Sequence, residues 1–316
     1  MRFCSYCYAE SDELSKCGKC KKRLYCSREC QAKDWKSGKV GGAHKLYCGI
    51  SGEINIDYEI RNTGRSDVGD GIFALRDFGK NEVIIVERPI ITVAQRALNP
   101  LIPDVPESAK HMVDALMPKN GTFKEKIDRN GISCTDECVV DGLTGLFLTL
   151  SKANHCCLGN SDHQYFDHRR VKILVSSKPI AKGEEITFSY VSSLKWNERK
   201  LKLAGYPYLF QCKCVACTSQ SVEEKLAKVW KLDDEILRLG GQGKVEMALR
   251  KEELLLNLYE ELGLSMWLYQ KTYYDLFQVC ITKQKFLSQG RRYIGMAHQA
   301  LVAFSKGRSA PRSSPI

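Results

Sequence analysis

The chain has 316 residues, 43% of them hydrophobic, with 15 cysteines and a formal charge of +11. Such a length and apolar content fit about two globular domains and exclude a disordered chain. The sequence holds no run of 18 or more apolar residues, which excludes a membrane-spanning helix as a membrane partner.

The opening MRFCSYCYAE lacks the apolar stretch of a secretory signal, so the protein is expected inside the cell, in the nucleus, the cytoplasm or both. There, a reducing environment favours thiolate metal sites over disulfides, and metal is the first reading of the cysteines. In the first fifty residues they fall as Cys4-x2-Cys7, Cys17-x2-Cys20 and Cys26-x3-Cys30, followed by His44-x3-Cys48. Each close pair spans one tight turn and can grip one tetrahedral ion, so eight ligands fit two zinc ions.

The segment resembles a MYND finger through Tyr25, Cys26, Ser27, Cys30, Gln31 and Trp35. By that resemblance the sites interleave: Cys4, Cys7, Cys26 and Cys30 hold one zinc, and Cys17, Cys20, His44 and Cys48 the other. A Gly-rich insertion over residues 36 to 43 lengthens the last loop. Saturated zinc has no open position for water, so the finger is not catalytic. The resemblance implies a proline-containing peptide as its partner; a folded clamp against the next domain is the alternative. The basic residues Lys16, Lys19, Lys21, Lys22, Arg23 and Arg28 read as a solvated surface that could also touch nucleic acid.

Further along, residues 68 to 93 read VGDGIFALRDFGKNEVIIVERPIITV, a Gly-x-Gly turn, a short apolar strand, a Gly-Lys-Asn turn and a β-branched strand. This predicts hairpin-like β structure, and without the helix and distant acid of a dinucleotide fold it argues against Rossmann binding. Residues 110 to 117 and 143 to 152 carry apolar residues at helical spacing, the second leading into Asn154-His155-Cys156-Cys157. Residues 172 to 176 and 186 to 190 are β-prone runs separated by the turn Lys182-Gly183-Glu184.

Residues 67 to 217 resemble SET-domain methyltransferases, particularly the SMYD type. Four motifs in order carry the resemblance: Gly69-Asp70-Gly71-Ile72-Phe73-Ala74, Asn154-His155-x-Cys157, Gly183-Glu184-Glu185-Ile186-Thr187-Phe188-Ser189-Tyr190, and Cys212-x-Cys214-x2-Cys217. The last supplies three ligands where a structural zinc needs four. The family pattern implies Cys157 as the fourth, with the adjacent Cys156 as the alternative; Leu158-Gly159 stands where the family commonly has an acidic-proline pair. Cys134, Cys138 and Cys280 are left over and read as core thiols. Three zinc sites would bring the net charge to about +6, so a nucleic-acid partner is not expected.

The resemblance further implies that Asn154 and His155 hydrogen-bond the methyl donor, S-adenosylmethionine. Asp70 and Gly71 would line its amino-acid end and Phe210 would cover the adenine, with Ser151, about one helical turn before Asn154, a further candidate. Tyr190 and Tyr208 would form the lysine channel, Tyr190 contributing to cofactor binding and placing its hydroxyl near the transferring methyl as the catalytic residue. In the resembled family the finger usually interrupts the SET domain, whereas here it precedes it. Because no pocket motif lies in residues 1 to 49, cofactor binding is expected to be independent of the finger.

In the last third, residues 222 to 239, 245 to 262, 267 to 286 and 292 to 304 carry apolar residues at helical spacing, and Gly240-Gly241-Gln242-Gly243 separates the first two. These pairs resemble the tetratricopeptide-like region of SMYD proteins and are too few to stand alone, so they are expected to dock onto the SET domain. The tail from residue 307 is Ser-, Pro- and Arg-rich and is expected to be disordered.

The expected fold is therefore α+β. A MYND-type finger (1–49) precedes a β-rich SET domain with an inserted helical segment (50–195), a zinc-bound post-SET segment (196–220), a helical TPR-like domain (221–306) and a tail (307–316). The implied activity is protein lysine N-methylation of a histone or non-histone partner with an exposed lysine. Its rivals are a weak or inactive SET/MYND scaffold recruiting partners through its finger, and a zinc-finger nucleic-acid binder.

Overall fold

In the computed structural model, residues 4 to 306 are described except 8, 10, 12, 22, 37–43, 47, 49–56, 66–67, 95–109, 111–112, 117, 135–141 and 167–170. The Gly-rich insertion from residue 37, Lys22, Cys138 and the tail from 307 thus lie outside the described residues. So does part of the helix expected over 110 to 117, of which Lys110, Val113 and Asp114 are helical.

Strand β1 (Ser15–Lys16) pairs antiparallel with β2 (Leu24–Tyr25), and α1 (Arg28–Lys36) completes the finger. Among the described residues its buried apolar interior is little more than Cys4, Cys17, Leu24 and Tyr25. A core that small cannot hold a fold without cross-links.

The middle of the chain contains β3 (Tyr58–Asn62), β4 (Asp70–Ala74), β5 (Val83–Glu87), β6 (Ile91–Ala94), α2 (Phe123–Asn130), β7 (Gly131–Ser133), β8 (Leu143–Leu146), β9 (Asn154–His155), β10 (Ser161–Phe166), β11 (Val171–Ser176) and β12 (Glu185–Phe188). They form three small sheets, ordered β3-β4-β12-β9, β10-β11-β5 and β6-β8-β7. Ile72 and Ile186 of the first sheet and Ile84 and Leu174 of the second form one buried cluster with Phe147, which follows β8, whereas Ile91 and Leu146 of the third sheet belong to a second cluster. Helix α2 begins with a capping box in which Thr122 and Glu125 satisfy each other's main-chain amides.

Two expectations are corrected here. Residues 68 to 93 do not make a hairpin: β4 pairs with β3 and β12, whereas β5 pairs with β11 in another sheet. Residues 143 to 152 are not a helix. Leu143–Leu146 is a strand with β6 on one side and β7 on the other, and only Leu150–Lys152 turns, as a 3-10 helix. Leu146, Phe147, Leu148 and Leu150 are all buried, so no single period marks the run, and two flanking partners for its main chain favour the strand.

Helix α3 (Trp196–Ala204) and a helical turn α4 (Val215–Thr218) flank the post-SET cysteines. Four long helices follow, α5 (Gln220–Gly241), α6 (Val245–Leu262), α7 (Met266–Ile281) and α8 (Leu287–Lys306). They dock as expected: Leu226, Val229, Leu255, Leu276 and Cys280 share one buried cluster with Cys157, Val191, Leu203 and Ala216. Lys80 pairs with Glu260 at 3.0 Å across the same junction. Cys134 is also buried, among the sheet residues. Among the described residues no helix is long and apolar enough to cross a membrane.

Candidate active site and metal centres

Three groups of four ligands meet among the described residues: Cys4, Cys7, Cys26 and Cys30; Cys17, Cys20, His44 and Cys48; and Cys157, Cys212, Cys214 and Cys217. In each group the ligand atoms all lie within 4.8 Å of one another. Zinc holds thiolates at about 2.3 Å, so ligand sulfurs of one tetrahedron lie about 3.8 Å apart. The observed separations fit: 3.5 Å for Cys7 and Cys26, 3.6 Å for Cys26 and Cys30, 3.9 Å for Cys157 and Cys212, and 3.5 Å for Cys157 and Cys217. Nε2 of His44 lies 3.4 Å from the Cys20 sulfur. Burial and then the neighbouring sulfurs push Cys26 and Cys48 up to about 12, and a divalent ion in each group would favour their thiolate forms. Three zinc ions fit, and Cys157, not Cys156, is the residue that closes the third group.

Cys157 carries the third centre to the pocket because β9 ends two residues before it. This two-residue strand runs parallel to β12, with Asn154 opposite Thr187 and His155 opposite Phe188. The following loop is pinned to β12 by buried Asn160, whose Oδ1 accepts from the Thr187 amide at 2.9 Å and whose Nδ2 donates to the Glu185 carbonyl at 2.9 Å. A β-carbon on Gly159 would lie 2.6 Å from the Thr187 carbonyl oxygen and 2.7 Å from the Phe188 Cα. Only glycine lets the loop lie that close to the strand, which accounts for its presence there.

Four rings gather on this platform. His155 lies 5.2 Å from Tyr190 and 5.6 Å from Phe210, and Tyr190 lies 5.5 Å from Tyr208, all between ring centroids. The post-SET segment thus delivers Tyr208 and Phe210 to the ring pair formed by β9 and the end of the β12 motif. The Tyr208 hydroxyl donates to the Tyr190 carbonyl at 3.1 Å, and the Tyr190 hydroxyl donates to the Ala153 carbonyl at 2.8 Å. Burial raises both phenols above their ordinary value, so both stay protonated at neutral pH. Burial also pushes His155 down to about 4, leaving it neutral.

Beside the rings stands a polar wall. Nδ2 of Asn154 donates to the Asp70 carbonyl at 3.0 Å and to Oε1 of Glu185 at 2.7 Å, and Nη2 of Arg65 meets both Glu185 oxygens at 3.0 and 2.8 Å. Because both partners of Asn154 can only accept, its amide orientation is chemically determined, and Oδ1 remains as an acceptor. Lys152 pairs with the Asp70 carboxylate at 3.2 Å. Gly71 is tight against this group: a β-carbon would lie 2.7 Å from Glu185 Oε1 and 3.0 Å from Asn154 Nδ2.

The fold thus brings together Asp70, Gly71, Asn154, His155, Tyr190, Tyr208 and Phe210. Ser151 is turned elsewhere, its hydroxyl donating to the Asn130 carbonyl at 2.9 Å. Arg65 joins the wall without a signal in the sequence that marks it, since it meets Glu185, a residue of the third SET motif, from 120 positions away. Arg23, grouped above with solvated basic residues, is instead buried and paired with Asp34 at 2.9 Å.

Small sheets, a strand carrying Asn154-His155 and a cysteine-closed segment bearing aromatic residues define a SET-type domain preceded by a zinc finger. The SET domain family profile matches residues 69–191 and the MYND finger profile residues 4–48. The chain is 26% identical to the N-lysine methyltransferase SMYD2 of Gallus gallus over 237 residues, 73% of this chain and 53% of that protein. The Homo sapiens SMYD2 is 26% identical over 242 residues, 73% and 54% of the two chains, and SMYD2-A of Danio rerio 27% over 234 residues, 70% and 51%. The chain spans about half the length of the curated relatives it matches. It is a SMYD-like protein with a SET domain and a MYND finger.

Proposed function

We propose that the chain is an S-adenosylmethionine-dependent protein lysine N-methyltransferase. The observation that carries this reading is the joining of Tyr190, His155, Phe210 and Tyr208 into one half-buried aromatic group beside an Asn154 carboxamide whose free atom is an acceptor. That set suits a ligand with an aromatic end and an ammonium-bearing amino-acid end: Oδ1 of Asn154 can accept from the ammonium, and Phe210 offers a face to the adenine. When bound, S-adenosylmethionine supplies an electrophilic methyl group on a sulfonium.

The chain's own work is positioning and desolvation. A lysine at its ordinary pKa of about 10.4 is an ammonium without a lone pair, and the apolar faces of Tyr190 and Tyr208 favour its neutral form. Protonated Tyr190 and Tyr208 cannot act as bases; they hold main-chain carbonyls and orient polar groups. Neutral His155 holds the Tyr190 main chain, and Ser151 is left out of this assignment because its hydroxyl is engaged elsewhere.

The substrate is a protein with an exposed lysine, a histone being one case, and the domain limits 1–49, 50–195, 196–220 and 221–306 are retained as functional units. A role for the finger in holding a proline-containing peptide, and residence in the nucleus or cytoplasm, accompany this reading. Incubation with labelled S-adenosylmethionine and a cell extract tests it: label on lysine of defined proteins is the expected result. Cofactor binding without any labelled protein would favour the scaffold.

A further inference from the structure

We propose that Asp34 of the finger, Arg88 and Glu87 form a brace through which the finger positions the Asn154–His155 strand. The inference rests on the reading of that strand as cofactor-binding. Asp34, on α1 between the zinc ligands Cys30 and His44, is 0% exposed. It accepts from the Tyr25 hydroxyl at 2.7 Å, pairs with Arg23 within the finger, and pairs with Arg88, whose side chain is 4% exposed, at the end of β5.

The neighbouring residue, Glu87, faces the pocket side. Its carboxylate accepts from the main-chain amides of Thr149 at 2.9 Å and Leu150 at 2.8 Å. Those amides open the 3-10 turn Leu150–Lys152, and Ala153, Asn154 and His155 follow at once. Asp34 therefore reaches the cofactor strand through two consecutive residues of one strand end.

A buried cation that loses a carboxylate partner is disfavoured and seeks another environment. For Arg88 that means a shift at the end of β5, and Glu87 moves with it. Glu87 cannot move without pulling on the turn it caps. The finger is by this account a positioning element of the SET site, which replaces the expectation that cofactor binding is independent of residues 1 to 49.

The test is calorimetric titration of S-adenosylmethionine into the full chain, with zinc content and melting temperature measured alongside. Wild-type binding is established first, because its failure would remove the functional reading and not the brace. Asp34→Asn is expected to retain three zinc ions and weaken cofactor binding about tenfold, a typical magnitude for coupled sites. Glu87→Gln should do the same, and the double variant should bind no more weakly than the weaker single variant, because both break one path. A folded Asp34→Asn that melts earlier but binds the cofactor as the wild type does, or fully additive effects in the double variant, would overturn the proposal. If Asp34→Asn does not fold, Arg88→Lys, which keeps the charge and changes its reach, is read by the same two outcomes.

Discussion

The main-chain amide of Tyr190 donates to Nδ1 of His155 at 3.0 Å. With Nδ1 accepting, the neutral ring carries its proton on Nε2, and that atom lies 3.2 Å from the Cys157 sulfur. One imidazole thus ties the aromatic group to the third metal centre, supporting a metal thiolate from outside as ligand-orienting groups commonly do. Cys214→Ser should lower the zinc content from three ions to two and also weaken S-adenosylmethionine binding at least about tenfold, since the ring and Cys157 lose a common anchor. Metal analysis and calorimetry on the same sample check this. Two zinc ions with unchanged cofactor affinity would show that the post-SET centre does not shape the pocket.

Gly71 offers a local test of the polar wall. Alanine there places a β-carbon 2.7 Å from Glu185 Oε1, 2.9 Å from Thr63 Cγ2 and 3.0 Å from Asn154 Nδ2. Overpacking of that kind costs about 1–3 kcal/mol. Glu185 and Asn154 are side chains and can move aside, so Gly71→Ala should fold, and the cost should appear as cofactor affinity weakened by about tenfold. Equal affinity for both proteins would place the ligand away from this wall.

What the sequence revealed depended on how local each constraint is. The finger ligands come in close pairs, so their spacing alone exposed eight of them, and the helices from Gln220 onward were legible because their apolar residues recur on one face. Cys157 could be assigned only by the ligand count and the family pattern, because it meets Cys212 from 55 positions away. Leu143–Leu146 misled because its neighbours Phe147 and Leu148 are also buried, which erases the alternation that marks a strand. Asp34 gave no signal at all. In the charged run RECQAKDWK it looks like any solvated helix residue, and only Arg88, 54 positions on, makes it a buried anion.

Glu87 should leave a signature in the pH dependence of stability. Burial pushes it up from 4.5 to about 7 in the folded protein, against the opposing hydrogen bonds from Thr149 and Leu150. Between those two values the folded state binds more protons than the unfolded state, so this contribution is fully present below about pH 4.5 and is lost as the pH rises through 7. Lys172 stands opposite it on β11 with its amine on the Ser133 carbonyl, and Arg88 beside it is turned to Asp34. The melting temperature of wild type minus that of Glu87→Gln should therefore fall from pH 5 to pH 8, because the carboxamide mimics the neutral acid and does not titrate. The difference cancels the thiolate titration that both proteins share. A difference that rises with pH in favour of the wild type would mean that Glu87 is held as an anion.

Tyr190→Phe separates a catalytic hydroxyl from a structural one. The substitution keeps the ring that packs 5.2 Å from His155 and 5.5 Å from Tyr208, and it removes only the hydroxyl that donates to the Ala153 carbonyl at 2.8 Å. Losing that bond should lower stability by about 1 kcal/mol. The main-chain bond from residue 190 to His155 remains, so cofactor affinity should change little. Turnover should fall on the order of 10²-fold, because a positioned polar contact at a reacting group commonly contributes that much to rate. Single-turnover methyl transfer to an identified substrate, measured beside the melting temperature and the cofactor Kd, distinguishes the outcomes. A fall in rate with a nearly constant cofactor Kd and a melting temperature lowered only by the one lost bond assigns the hydroxyl to the chemical step. Near-normal transfer by a stable variant would reduce Tyr190 to a wall of the channel, its hydroxyl serving only to hold Ala153 and the start of the Asn154–His155 strand.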